Sequence, residues 1–187
     1  MHTKSIEIAS ALVRQARKGN QQAIYKLYKM YVAAMYNISI RIVSNQLDAE
    51  DILQESFTIA FNSFGSLKED SLFSAWLKRI VINKSISHLK RNKQEFTNVD
   101  KLQLAEDEFT DDELSNSITP EMIHNAIKTL PDKARVVLNL YLLEGYRHKE
   151  IAELLDISES TSKSQYRRAC RILQDKLNKA AILNKDF

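Results

Sequence analysis

Between positions 24 and 42 the apolar residues Ile24, Leu27, Tyr28, Tyr31, Met35, Ile38 and Ile42 recur at three- and four-residue steps. At roughly 3.6 residues per turn this spacing collects them on one stripe, so the stretch is predicted to form a long amphipathic helix. The rest of the chain agrees. Only 3 Gly and 2 Pro occur in 187 residues, too few for the many turns of an all-β protein. Ser44-Asn45 interrupts the first stretch, and Asp48 is expected to cap a second helix. The stripe of that helix is Leu53, Phe57, Ala60, Phe61 and Phe64, with Gly65 expected as its C-terminal cap. A third helix is predicted after Ser71, with Phe73, Trp76, Leu77 and Ile80 facing inward, running out at Lys90-Arg91-Asn92-Lys93. Residues 5–17 read as a shorter opening helix that ends near Gly19-Asn20.

From 97 to 119 the pattern fails. Glu106-Asp107-Glu108 and Asp111-Asp112-Glu113 leave too few apolar side chains to offset chain entropy, which predicts a flexible acidic linker. Thr119-Pro120-Glu121 then reads as a helix start with proline in the first turn. Leu130-Pro131-Asp132 breaks that helix and opens the next, which carries Val136, Val137, Leu140, Tyr141 and Leu143 and ends at Glu144-Gly145. The expected fold class is all-α. Two small helical domains, residues 1–96 and 120–187, are joined by the linker 97–119, and the second contains a helix-turn-helix.

Charge follows the same division. Residues 1–95 carry 14 basic and 8 acidic side chains (+6), residues 96–121 carry 1 and 8 (−7), and residues 122–187 carry 12 and 8 (+4). Two basic blocks around an acidic segment suit two polyanion-facing domains on a tether; charge alone fits two solvated surfaces equally well. A single cysteine, Cys170, excludes an intrachain disulfide and an all-Cys metal site and fits a reducing cytosol. No stretch approaches the roughly 18 unbroken apolar residues of a membrane span. The start Met1-His2-Thr3-Lys4 lacks signal-peptide character. A cytoplasmic protein without membrane insertion is therefore expected. His2, His88, His124 and His148 show no metal-ligand spacing and no Gly-rich phosphate loop is present, so no catalytic residue, metal or cofactor is expected.

Three segments carry functional signal. In residues 147–177, Ile151, Ala152 and Leu155 line a short helix, Asp156-Ile157-Ser158 makes a tight turn, and a longer helix begins near Glu159. That is the layout of a helix-turn-helix, whose second helix enters the major groove. Tyr166, Ala169, Cys170, Leu173 and Leu177 share one side of it; Ser160, Ser164, Arg167, Arg168 and Arg171 lie opposite, with Lys163 flanking. Such an arginine-rich face, read as free of acids near the helix start, suits phosphate neutralisation and guanine reading. A plain amphipathic surface helix is the alternative. In residues 48–58, Asp51, Gln54, Glu55 and Thr58 lie opposite the apolar stripe. The helix dipole accounts for Asp48, Glu50 and Asp51, but Gln54 and Glu55 suit a docking face for a basic protein. In residues 73–93, aromatics precede Asn83, Lys84, Ser87, His88, Lys90, Arg91 and Lys93, a pattern compatible with single-stranded nucleic acid. Phe73 and Trp76 themselves read as core.

Taken together, residues 48–57, 73–91 and 130–177 resemble a sigma factor of the extracytoplasmic-function (ECF) class. The resemblance runs from Ala23 to Leu177, and the stretch Asp48-Ala49-Glu50-Asp51-Ile52-Leu53-Gln54-Glu55-Ser56-Phe57 is its most specific part. It implies a non-enzymatic bacterial initiation factor that binds core RNA polymerase and directs it to promoter DNA. By resemblance, Asp51, Gln54 and Glu55 dock on the coiled coil of the β′ clamp. Lys78, Arg79, Asn83, Lys84, Ser87, His88, Lys90 and Arg91 melt and hold the −10 element. Ser160, Lys163, Ser164, Arg167, Arg168 and Arg171 meet the −35 element, with Lys163 and Arg167 expected at bases and Arg168 at phosphate. The linker threads towards the RNA exit path, and the β flap and an anti-sigma factor are further expected partners. The chain departs from the family pattern in places. Ser87 stands where Asp is usual, and Gln165 and Cys170 replace commonly basic positions. Ser162 stands where a buried valine is common, which is expected to weaken packing of the two motif helices by about 1 kcal/mol. The competing reading is an autonomous helix-turn-helix regulator, which binds duplex DNA alone and usually dimerises on a palindrome.

Overall fold

A computed structural model describes residues 2–92 and 118–183. The expected acidic linker lies outside the described residues except for Ile118 and Thr119. All the secondary structure among the described residues is helix, as the sequence predicts, and the chain divides into two compact units, Met1–Gln94 and Glu95–Phe187.

The N-terminal unit packs α1 (His2–Arg17), α2 (Gln21–Val43), α3 (Gln46–Asn62) and α4 (Phe73–Asn92) around one core. Each boundary has a local cause. Gly19, at φ +83°, makes the turn out of α1, and the Asn20 side chain caps α2 by accepting from the Ala23 amide at 3.1 Å. Ser44 closes α2 in a left-handed conformation, φ 56°, and Asn45 caps α3 by accepting from the Asp48 amide at 3.1 Å. The cap is thus Asn45 and not Asp48, because α3 begins at Gln46, three residues earlier than a cap at Asp48 would place it. Nor does Gly65 close α3. The helix stops at Asn62, the Ser63 amide bonds back to Ile59 and Ala60, and Gly65 lies inside a following 3-10 turn, Phe64–Ser66.

Val13, Leu27, Ile42, Phe73, Leu77, Val81 and Ile82 are fully buried. Rings run in contact from Tyr28 through Phe57, Phe61, Phe64 and Phe73 to Trp76, with centroids 4.9 to 6.1 Å apart. Phe73 is core, as expected, whereas Trp76 and Ile80 are only half-buried. The inward face of α4 continues through Val81, Ile82, Ile86 and Leu89. Arg17 fastens the loop ahead of α4, donating from Nη2 to the Leu67 carbonyl at 2.6 Å and from Nε to Asp70 at 3.1 Å.

In the C-terminal unit α5 (Pro120–Lys128), α6 (Asp132–Leu138) and α7 (His148–Leu155) all pack on the long α8 (Glu159–Leu183). Thr119 caps α5 by accepting from the Met122 amide at 3.3 Å, with Pro120 in the first turn, as its sequence signature predicts. Leu130, Ala134, Leu138 and Ala169 form a buried cluster, with Ile127, Tyr166, Cys170, Ile172 and Leu173 against it. The helix expected to run on to Glu144-Gly145 leaves α geometry after Leu138, and Tyr141 and Leu143 are exposed. Beyond α6 the chain widens into a π turn, Asn139–Leu143, which rotates these two side chains out of register with buried Val136, Val137 and Leu140. Gly145, at φ +76°, then turns the chain towards α7.

Candidate functional site

On α3 the residues Asp51, Gln54, Glu55 and Thr58 are all exposed, as a docking face requires. Leu47, 73% exposed, stands one turn before Asp51 on the same side. The acids of α3 also reach α4. Glu55 accepts from Lys84 Nζ at 2.8 Å, and Asp48 Oδ2 lies 3.1 Å from His88 Nε2. The Lys84 hydrogen bond and charge, with smaller help from Arg91 and His88, hold the Glu55 carboxyl below the usual range. Two of the residues expected at nucleic acid, Lys84 and His88, are therefore occupied by α3. Others in that set, Arg79, Asn83, Ser87, Lys90 and Arg91, are exposed; four-residue steps join Arg79, Asn83 and Ser87, and Lys90 and Arg91 lie three and four residues beyond Ser87, which places them along one stripe of α4. Lys78 is half-buried.

The helix-turn-helix forms where the sequence places it. Asp156, at φ 59°, closes α7, and the Ser158 hydroxyl accepts from the Thr161 amide at 3.0 Å at the start of α8. Ser158 also bonds the Ser160 and Thr161 hydroxyls, each at 2.7 Å, and the Ser164 hydroxyl donates to the Thr161 carbonyl at 2.9 Å. Lys163, Arg167 and Arg171 are exposed and Arg168 is half-buried. The start of this face is not free of acids, however. Glu159 lies 2.7 Å from Lys163 one turn on, and the lysine's hydrogen bond and charge lower the Glu159 carboxyl. Gln165 is buried, so it does not stand on the basic face. Burial raises the half-buried Cys170 thiol, which suits a packing role and not a nucleophile. Burial first, then Cys170, pushes Tyr166 up to about 12.

The sequence reading missed His148. Ser162 is fully buried between the motif helices, but its hydroxyl lies 3.0 Å from His148 Nδ1 and is satisfied. The expected packing loss at Ser162 is thereby offset. The His148 ring stacks on Tyr141, with centroids 4.4 Å apart and planes 12° apart, and meets Tyr166 edge-on at 5.7 Å. Burial, then the charges of Lys163 and Arg167, lower its pKa against an opposing pull from Glu159. The available signal was the serine itself: a polar side chain at a buried position requires a polar partner.

Among the described residues no three His, Cys, Asp or Glu side chains gather as a metal site, and no helix is long and apolar enough to cross a membrane. What the two units offer is an acidic face beside a basic stripe on neighbouring helices, and a basic helix behind a tight turn.

Comparison with known proteins gives both units a relationship. Residues 27–95 match the model of sigma-70 region 2, and residues 121–173 match that of sigma-70 region 4. The chain is 28% identical over 178 residues to the ECF RNA polymerase sigma-E factor of Haemophilus influenzae, covering 89% of this chain and 94% of that protein. It is 29% identical over 181 residues to the ECF RNA polymerase sigma factor SigW of Bacillus subtilis, covering 88% and 94%. Two solved structures share the fold. One is the sigma factor RpoE in complex with the anti-sigma factor NepR from Bartonella quintana, with TM-score 0.54 and 21% identity, covering 82% of this chain and 96% of that one. The other is CnrH in complex with the cytosolic domain of CnrY, with TM-score 0.51 and 23% identity, covering 96% and 99%.

Proposed function

The chain belongs to the sigma-70 family as an ECF-class RNA polymerase sigma factor, a non-enzymatic initiation factor, and from that premise we propose how its surfaces divide the work. Residues 1–96 bind core polymerase and the −10 element, residues 120–187 bind the −35 element and the β flap, and residues 97–119 connect them along the RNA exit path. Asp51, Gln54 and Glu55 dock on the β′ clamp coiled coil. Arg79, Asn83, Ser87, Lys90 and Arg91 meet the melted −10 strand, with Lys78, Lys84 and His88 beside them. Ser160, Lys163, Ser164, Arg167, Arg168 and Arg171 address the −35 duplex. An anti-sigma factor is a further proposed partner, since of the two solved structures named above one is a complex with an anti-sigma factor and the other a complex with the cytosolic domain of a second protein. The cytoplasm, where polymerase works, is the proposed location. An autonomous regulator is not favoured, because the N-terminal unit also matches a sigma-70 region.

The observation that carries this reading is the exposed acidic face of α3 beside the exposed basic stripe of α4. In this reading a protein-docking surface and a nucleic-acid surface lie on adjacent helices that share one core, which the exposure of both faces and the Glu55–Lys84 pair between the helices support. Asp51 gives the cleanest test, because Glu55 also serves Lys84. Asp51→Lys should weaken core polymerase binding by roughly 10- to 100-fold, as charge reversal in a desolvated contact does. Helical content should stay unchanged, since Asp51 lies off the apolar stripe. Parental polymerase affinity in a folded Asp51→Lys, Gln54→Ala double variant would contradict the docking assignment.

A further inference from the structure

We propose that His148 is a positioning residue for promoter reading: by bridging α7 to Ser162 it fixes where the first turns of α8 lie, and with them Lys163 and Arg167. The proposal rests on the reading of α8 as the −35 helix.

Ser162 is fully buried, and a hydroxyl buried without a partner is costly, so its bond to His148 Nδ1 at 3.0 Å is the favourable way to keep a serine there. His148 is itself held from several sides. It is the first residue of α7, and the preceding Arg147 amide donates to the Glu150 carboxylate at 2.7 Å, which fixes that helix start. Its ring lies flat on Tyr141, and Tyr141 in turn contacts Tyr166 at 4.7 Å between centroids. His148 therefore touches α8 at two points one turn apart, Ser162 and Tyr166. Each of these is followed in sequence by one of the two cations expected at bases: Lys163 follows Ser162, and Arg167 follows Tyr166.

A hydrogen bond to a base edge loses most of its value when donor distance or angle drifts. A fixed polar link at the first turns of the helix therefore serves discrimination between sequences. An apolar contact at Ser162 would hold the helices together without setting their register so narrowly. The π turn that carries Tyr141 belongs to the same device, since it presents the ring to His148 and not to the core.

The test compares two replacements that differ in which imidazole nitrogen they imitate. His148→Asn places an amide atom where Nδ1 stands, within reach of Ser162. His148→Gln places it where Nε2 stands, out of that reach. Both lose the stack on Tyr141, so a purely structural role would affect both alike. Core polymerase is reconstituted with each full-length variant and measured on DNA that the parent holoenzyme enriches from a library randomised at −35. Affinity for that DNA is divided by affinity for the same DNA with −35 scrambled. His148→Gln and Ser162→Ala should lower this ratio by about 3- to 10-fold, and His148→Asn, which keeps the Ser162 link but not the stack, should lower it clearly less than His148→Gln. Equal ratios for the Asn and Gln variants, or a parental ratio for Ser162→Ala, would overturn the proposal. Arg167→Ala, run in parallel, should collapse the ratio. If it does not, α8 is not the −35 reader, and that failure is distinct from failure of positioning alone.

Discussion

Arg135 has only 3% of its surface exposed, yet it carries a full charge. Its guanidinium donates to Asp132 at 2.7 Å and to the Leu130 carbonyl at 3.1 Å, tying α6 to the break that follows α5. Removing one partner of such a buried pair strands the other charge, which costs more than replacing the cation by a similar apolar volume. Asp132→Ala should therefore lower the stability of the C-terminal unit by about 2–4 kcal/mol, and Arg135→Met by less, as read by urea denaturation. The reverse order would contradict this account of the elbow. In the N-terminal unit the cap is equally specific: Asn45→Ala should cost about 1 kcal/mol in the same measurement. At the residue scale the sequence was legible where one side chain acts alone, as at Thr119 and Pro120. It was not legible where two residues share the decision. Asn45 and Asp48 both suit a cap, and only the position of the turn chooses between them. Ser162 looked like a packing fault because its partner stands on another helix.

Pairs of helices, more than single helices, carry the charges that matter. The α3–α4 seam joins Glu55 to Lys84 and Asp48 to His88. Glu55 titrates below its usual value, so its pairing stabilises the fold at neutral pH. The contribution disappears as pH falls through that lowered folded pKa. The carboxylate side chain is 56% exposed, so solvent screening holds the contribution to at most about 1 kcal/mol. Lys84→Gln should accordingly raise the Glu55 titration midpoint in a carboxyl NMR titration while shifting the melting temperature little. On α8 the acid within the basic face sets a second expectation. Glu159→Gln releases Lys163 from its intrahelical pair and should raise promoter affinity at low salt. Arg168→Ala should reduce the magnitude of the salt slope by about one unit across all sequences. Unchanged affinity and slope in both variants would remove α8 from the DNA interface. Helical periodicity made the elements themselves legible, because burial of one stripe depends on spacing alone. It could not register the π turn at Asn139–Leu143, where one extra residue per turn carries Tyr141 and Leu143 outward while the apolar pattern continues unbroken.

At the scale of the whole molecule, two compact units each match a different sigma-70 region, and each encloses its own core. Residues 1–96 and 120–187 should therefore fold separately, each giving a helical far-ultraviolet circular dichroism spectrum and a cooperative melt. A fragment that stays unfolded would place the division elsewhere. The alternation of basic, acidic and basic blocks was visible in the sequence, but charge alone could not say what either basic block meets. That required the exposed faces of α3, α4 and α8 and the relationship to sigma-70 regions. The central claim is that the chain directs polymerase to chosen promoters, and run-off transcription tests it most directly. Core bacterial RNA polymerase is mixed with the full-length chain and a pool of genomic fragments from the source organism. Discrete transcripts should appear only when the chain is present, and a scrambled −35 or −10 element should abolish each one. Binding of the chain to duplex DNA with high affinity in the absence of polymerase, with no transcript from any fragment when polymerase is supplied, would contradict the account.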